Sequence, residues 1–111
     1  MVSIITETQE CTEQLARFFP GLPAVRIPVR VVGRRSGKAQ VEEKTVVEYG
    51  TGEFAIFLSR LALEFDDRVE LVGEGGGRRS EAAVIALQYQ EGSKAVAVRF
   101  LQGPCEWMVN S

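Results

Sequence analysis

The stretch VRIPVRVVGRRSGKAQVEEKTVVEY, Val25 to Tyr49, decides how this chain folds. In its first eight residues Val25, Ile27, Val29 and Val31 alternate with Arg26, Pro28 and Arg30. A period of two over that length is the mark of a strand with one buried face. Pro28 has no donor N–H, so this strand belongs at an edge or carries a bulge. GRRSGK supplies a turn. In AQVEEKTVVEY, Val41, Thr45, Val47 and Tyr49 then fall on one face of a second strand.

The pattern continues downstream. GTGE turns and FAIFL reads as a short buried strand. RLALEFDD crosses over and RVELVG returns. EGGGRRS is a hairpin loop, and EAAVIALQYQ pairs with KAVAVRFL across EGS. QGPCEWMVNS holds the chain's one tryptophan, placed to pack on a barrel end. Six or so short strands separated by turn residues predict a small closed antiparallel β-barrel.

Upstream of Val25 the period changes. Cys11, Leu15, Phe18 and Phe19 lie at i, i+4, i+7 and i+8, an apolar helical stripe. Thr6 and Gln9 have capping-box spacing, and Pro20-Gly21 ends the segment. The expected organisation is one domain, with a helix in residues 1–21 and a barrel in residues 22–111. The stripe is expected to cap a barrel mouth or to face a partner.

Composition narrows the function. The chain has 111 residues, 45% of them hydrophobic, 25% charged, with a net charge of −2. That describes one ordinary globular domain. No apolar run approaches the roughly 20 residues of a membrane span, and MVSIITETQE lacks the layout of a secretory signal. A cytoplasmic location and reduced thiols at Cys11 and Cys105 follow as expectations. Histidine is absent, which removes the commonest general base and metal ligand. A carboxylate-dependent enzyme is thereby disfavoured, and no metal or cofactor is expected.

Five of the thirteen Lys and Arg residues fall between Val25 and Lys38, and no acid lies between Glu13 and Glu42. GRRSGKA approaches the phosphate-loop pattern. However, three residues rather than four separate Gly33 and Gly37, Ala39 replaces the hydroxyl, and a strand follows instead of a helix. A solvated hairpin turn accounts for it. Glycine-rich EGGGRRSE reads as a hairpin tip, and Asp66-Asp67 as turn formers. Arg26 and Arg30 share a strand face about 13 Å apart, and Arg34 and Arg35 extend the same positive field. Such a set suits a ligand with separated phosphates and flat bases. An edge strand protected by charge accounts for the same residues, and both readings stay open. A nucleic-acid polymer is not expected, because the chain lacks a basic excess with aromatics beside it.

Taken in order, these elements resemble the PilZ domain, a small β-barrel family known for bacterial cyclic di-GMP receptors. RIPVRVVGR looks like its first strand and KTVVEYGTGEFAIFL like its second and third. LALEFDDRVELV is similar to the approach to the fourth, and AAVIALQYQEGSKAVAVRFL looks like the closing hairpin. The resemblance runs from about Leu22 to Trp107 and implies a PilZ-like six-stranded barrel with one N-terminal helix. The family binds its dinucleotide through R-x-x-x-R ahead of the first strand and [DN]-x-S-x-x-G after the second. Arg26 and Arg30 have the first spacing, inside the strand rather than ahead of it. In the second window, Glu48 stands for Asp or Asn, Gly50 for Ser and Glu53 for Gly. Loss of the serine hydroxyl removes a ligand hydrogen bond. Glu53 sets a negative charge beside a dianion, a repulsion of about 4 kcal/mol at 4 Å and an effective dielectric near 20.

The resemblance therefore implies a bacterial, non-enzymatic signalling or motility module that acts through a protein partner or self-association. The alternative is a working cyclic di-GMP receptor with a modified site at Arg26, Arg30, Arg34 and Arg35. If the second motif is merely eroded, Gly50→Ser with Glu53→Gly should restore affinity.

Overall fold

The computed structural model describes residues 11–33, 40–75 and 77–108. Within them the chain forms six strands: β1 (Ala24–Gly33), β2 (Val41–Gly50), β3 (Phe54–Ser59), β4 (Arg68–Gly73), β5 (Arg79–Gln90) and β6 (Ser93–Phe100). All neighbours are antiparallel, and the order β1-β2-β3-β6-β5-β4 closes on itself as a barrel. Closure removes the free edges that open sheets must protect.

The alternation of β1 is realised: Ile27, Val29 and Val31 point inward and are buried. Pro28 pairs only with Val46 of β2, because the β1–β4 ladder begins at Val29. A register shift also falls between Ala24 and Ile27. Both tolerances anticipated for the proline are therefore present in one half-strand. The β3–β4 segment does cross over, since β3 and β4 are not neighbours in the barrel.

β3 and β6 read as apolar runs because each is covered on both sides. Ala55, Phe57, Val96 and Val98 fill the barrel interior, whereas Ile56, Ala95 and Ala97 belong to a second cluster on the outer wall. A short helix, α1 (residues 11–16), lies over that wall with Cys11 and Leu15 buried. The apolar stripe thus covers the side of the barrel and not a mouth. Ile56 and Leu58 point outward from β3 and need a cover there. After residue 16 each of three successive amides bonds three residues back. Phe19 then meets Phe54, with ring centroids 5.5 Å apart, while Phe18 is left 75% exposed. Thr6 and Gln9 lie outside the described residues.

Both mouths are closed by other segments. Leu63 of the crossover is buried at one end, its Cδ2 3.4 Å from where a Cβ on Gly33 would stand. At the other end a 3₁₀ turn (Glu106–Met108) brings in Met108, fully buried, and half-buried Trp107. Cys11 and Cys105 are free thiols in separate clusters. No helix is long and apolar enough to cross a membrane among the described residues.

Candidate functional site

Arg26 and Arg30 both lie on the outer side of β1, but they face different surroundings. Val47 pairs with Ile27 and Tyr49 with Ala24, so Val25 and Arg26 stand together against the single residue Glu48. On its other side β2 is bulged against β3, where Val47 and Tyr49 face Phe57 and Ile56. A bulge re-aims the side chains that follow it. Tyr49, expected on the inner face with Val47, therefore joins the outer cluster under α1. Glu48 accepts a hydrogen bond from Thr12 Oγ1 of α1 at 2.9 Å.

The β2–β3 turn that follows is engaged by the chain itself. Thr51 Oγ1 accepts from the amides of Glu53 and Phe54, at 3.1 and 3.3 Å, and Thr51 N donates to Phe54 O at 2.8 Å. Cys105 N donates to Gly52 O at 2.8 Å. Gly50 rests on Met108, so a Cβ there would stand 3.1 Å from Cγ and 3.3 Å from Sδ of that buried methionine. Ser cannot occupy position 50 unless Met108 shifts. Glu53 is exposed. The C-terminal segment thus backs the turn where the expected second ligand motif would be, and sequence patterning gave no sign of it.

Arg30 sits four residues further along, away from this turn. It pairs in register with Lys44 on β2 and Val72 on β4. With a like charge directly opposite, its guanidinium turns toward Glu42, Nε to Oε1 at 3.9 Å. It lines an open groove of about 640 Å³ on the β1–β4–β5 wall. Arg68, Arg79, Glu42, Glu70 and Glu81 share that groove, with Val32 and Val69 in its lining. Arg79 Nη1 meets Glu70 Oε1 at 3.1 Å. Arg34 and Arg35 lie outside the described residues, so the four arginines are not shown to converge.

A smaller cleft of about 490 Å³ runs between the start of β5 and the C-terminal turn. There Trp107 Nε1 donates to Ser80 Oγ at 3.0 Å, and Ser80 Oγ lies 3.3 Å from Cys105 Sγ. Burial pushes the Cys105 thiol up, offset in part by the Ser80 bond. Burial likewise raises Cys11, whose thiol donates to Gln88 O at 3.4 Å. Neither thiol has the electropositive, accessible setting of a reactive cysteine.

Asp66 and Asp67 form a turn. Asp66 has φ 73°, a conformation Asp tolerates, and Asp67 Oδ2 accepts from Glu64 N at 2.9 Å. No protein-family model matches the chain, and no curated protein matches it either.

Proposed function

We propose that this chain is a PilZ-like regulatory module of bacterial cyclic-di-GMP-type signalling or motility, without enzymatic activity, that acts through protein contacts. The observation that carries this reading is the occupied β2–β3 turn. Gly52 O is bonded by Cys105 N, Gly50 is packed on Met108, and Glu48 is held by Thr12. A receptor of the family's usual kind needs that turn free, with a hydroxyl at position 50 and bare backbone at position 53. Here the chain's own tail and helix take up those contacts.

The second reading is a receptor with a modified arginine site. Its support is that Arg26 is exposed and Arg30 lines an open groove. Calorimetric titration with cyclic di-GMP decides between them. The adaptor reading expects no binding heat at high protein concentration from a protein with a folded circular dichroism spectrum. Micromolar binding that Arg26→Ala abolishes would sink it.

A further inference from the structure

The groove on the β1–β4–β5 wall contains two charged groups whose bonding capacity is unfilled. The Nε of Arg30 is shielded from solvent and has no hydrogen-bond partner among the described residues. Its nearest carboxylate oxygen is Glu42 Oε1 at 3.9 Å, beyond the 2.7–3.2 Å of a hydrogen bond. Buried donors are normally satisfied, and one left open calls for an explanation. The second group is Glu81, which stands directly opposite Glu70 across β4 and β5. Like charges in that relation are unfavourable. Glu70 is relieved by Arg79, but the only bond to the Glu81 carboxylate among the described residues comes from the neutral Gln102 amide at 3.5 Å.

From these two we infer that the groove is a docking site for a partner segment carrying a carboxylate and a cation close together. The carboxylate engages the guanidinium of Arg30, whose side chain is 39% exposed, and turns it so that the shielded Nε comes out to bond it, while the cation sits against Glu81. β4 alone separates β1 from β5, two strand spacings or about 10 Å, and Arg30 is level with Val72 whereas Glu81 is level with Glu70, a further two residues or about 7 Å along, so the two positions lie roughly 12 Å apart. An acidic and a basic side chain two residues apart in an extended peptide reach across that distance. The charge balance selects this class. Arg30, Arg68 and Arg79 are cancelled by Glu42, Glu70 and Glu81. A polyanion therefore meets as much repulsion as attraction, whereas a mixed-charge segment finds a match for each sign. The inference rests on the adaptor reading, because it names the chemistry of that partner.

The test follows the Arg30 Nε–Hε signal in a nitrogen-15 correlation spectrum of the whole chain, assigned by its loss in Arg30→Lys. The probes are acetyl-Gly-Glu-Gly-Lys-Gly-amide, the two analogues with only Glu or only Lys, inorganic pyrophosphate and cyclic di-GMP. A saturable shift with the mixed peptide is expected, at an affinity at least ten-fold above either single-sign peptide or pyrophosphate. Glu81→Gln should remove most of that preference. An unmoved Arg30 signal means that water alone fills the groove, and the inference falls. It also falls if pyrophosphate or a single-sign peptide binds as well, or if Glu81→Gln changes nothing. Micromolar cyclic di-GMP binding would overturn the adaptor reading itself. Silence from every probe removes only the groove assignment.

Discussion

Thr12 Oγ1 donates to Glu48 Oε1 at 2.9 Å, tying α1 to the residue where β1 is bulged against β2 and β2 is bulged against β3. Thr12 is fully buried and Glu48 half-buried. The Glu48 carboxylate is therefore directed at the protein's own helix. Gln14 and Gln88 join through their side-chain amides, and Cys11 bonds Gln88 O, so α1 is latched on both sides of its apolar stripe.

Thr12→Val should loosen this latch without a change of shape. A hydrogen bond to a charged acceptor contributes about 1.5–3 kcal/mol. Hydration of the half-exposed Glu48 returns part of that, leaving a loss of about 1 kcal/mol in urea unfolding. The helix should also open more often, so a maleimide should label Cys11 faster in the variant than in the parent. Unchanged labelling together with unchanged stability would show that the bond does not hold α1.

Gly50→Ser, the substitution that sequence resemblance suggests as a repair, should destabilise the barrel instead. The new Cβ lies 3.1 Å from Met108 Cγ and 3.4 Å from Val47 Cγ1, and both of those side chains are fully buried. Overpacking of this kind costs about 1–3 kcal/mol. Met108→Ala removes the obstructing atoms, so the double variant should be less destabilised than the sum of the two single changes. Strict additivity in a urea double-mutant cycle would contradict the proposed clash. Gain of cyclic di-GMP affinity by Gly50→Ser with Glu53→Gly would contradict the reading of the turn as well.

The barrel was legible because the first two strands alternate and the turns between strands carry Gly, Asp and Ser. β3 and β6 were legible only as apolar runs, and such a run does not say what covers its outer face. The place of α1 was therefore unreadable: the outward Ile56, Ala95 and Ala97 are indistinguishable in sequence from the inward Phe57, Val96 and Val98. Tyr49 falls on the outer face, and not on the inner face its spacing predicts, because a bulge adds one residue and reverses the alternation beyond it. The pairing of Glu48 with Thr12 and the seating of Gly50 on Met108 join positions far apart in the chain. No local period records such contacts. The groove is hidden in the sequence for a related reason: Arg30, Arg79 and Glu81 become neighbours only when β4 closes the barrel between β1 and β5.

The buried thiols predict a loss of stability in alkali. Burial raises the pKa of Cys105, and that of Cys11, above the ordinary thiol value. The folded state then holds these protons more tightly than the unfolded chain does. Their contribution is fully present below the unfolded thiol pKa, about 8.5, and is lost as pH rises through the folded value. Tyr49 is raised as well, by burial and then by Glu13 and Glu48, and adds to the decline at higher pH. The urea midpoint of the parent should fall from pH 8 to pH 10.5. Cys105→Ala should start lower at pH 7, because a buried sulfur is removed, and should then fall less steeply. Parallel curves for the two proteins would rule out Cys105 as a source of the slope.

Leu63 is the residue on which closure of the crossover mouth should depend. It lies in the β3–β4 connection, where Leu63 N bonds Leu61 O at 2.8 Å, an i→i+2 contact that fixes little of the chain. Its side chain is 4% exposed and packs with Gly33, which itself meets Val41 and Val69. Removing a buried leucine side chain costs about 2–5 kcal/mol when the surroundings cannot collapse. A closed ring of hydrogen-bonded strands has little freedom to do so. Leu61→Ala, two residues earlier and only half-buried, provides the control and should cost less. Hydrogen exchange adds a positional readout. In Leu63→Ala, protection should drop first at Gly33 and Val69, at this mouth, and persist around Gly50 and Ala55, at the mouth held by Met108. A loss below about 1 kcal/mol, or an even drop in protection at both mouths, would mean that the crossover only passes over the barrel and does not seal it.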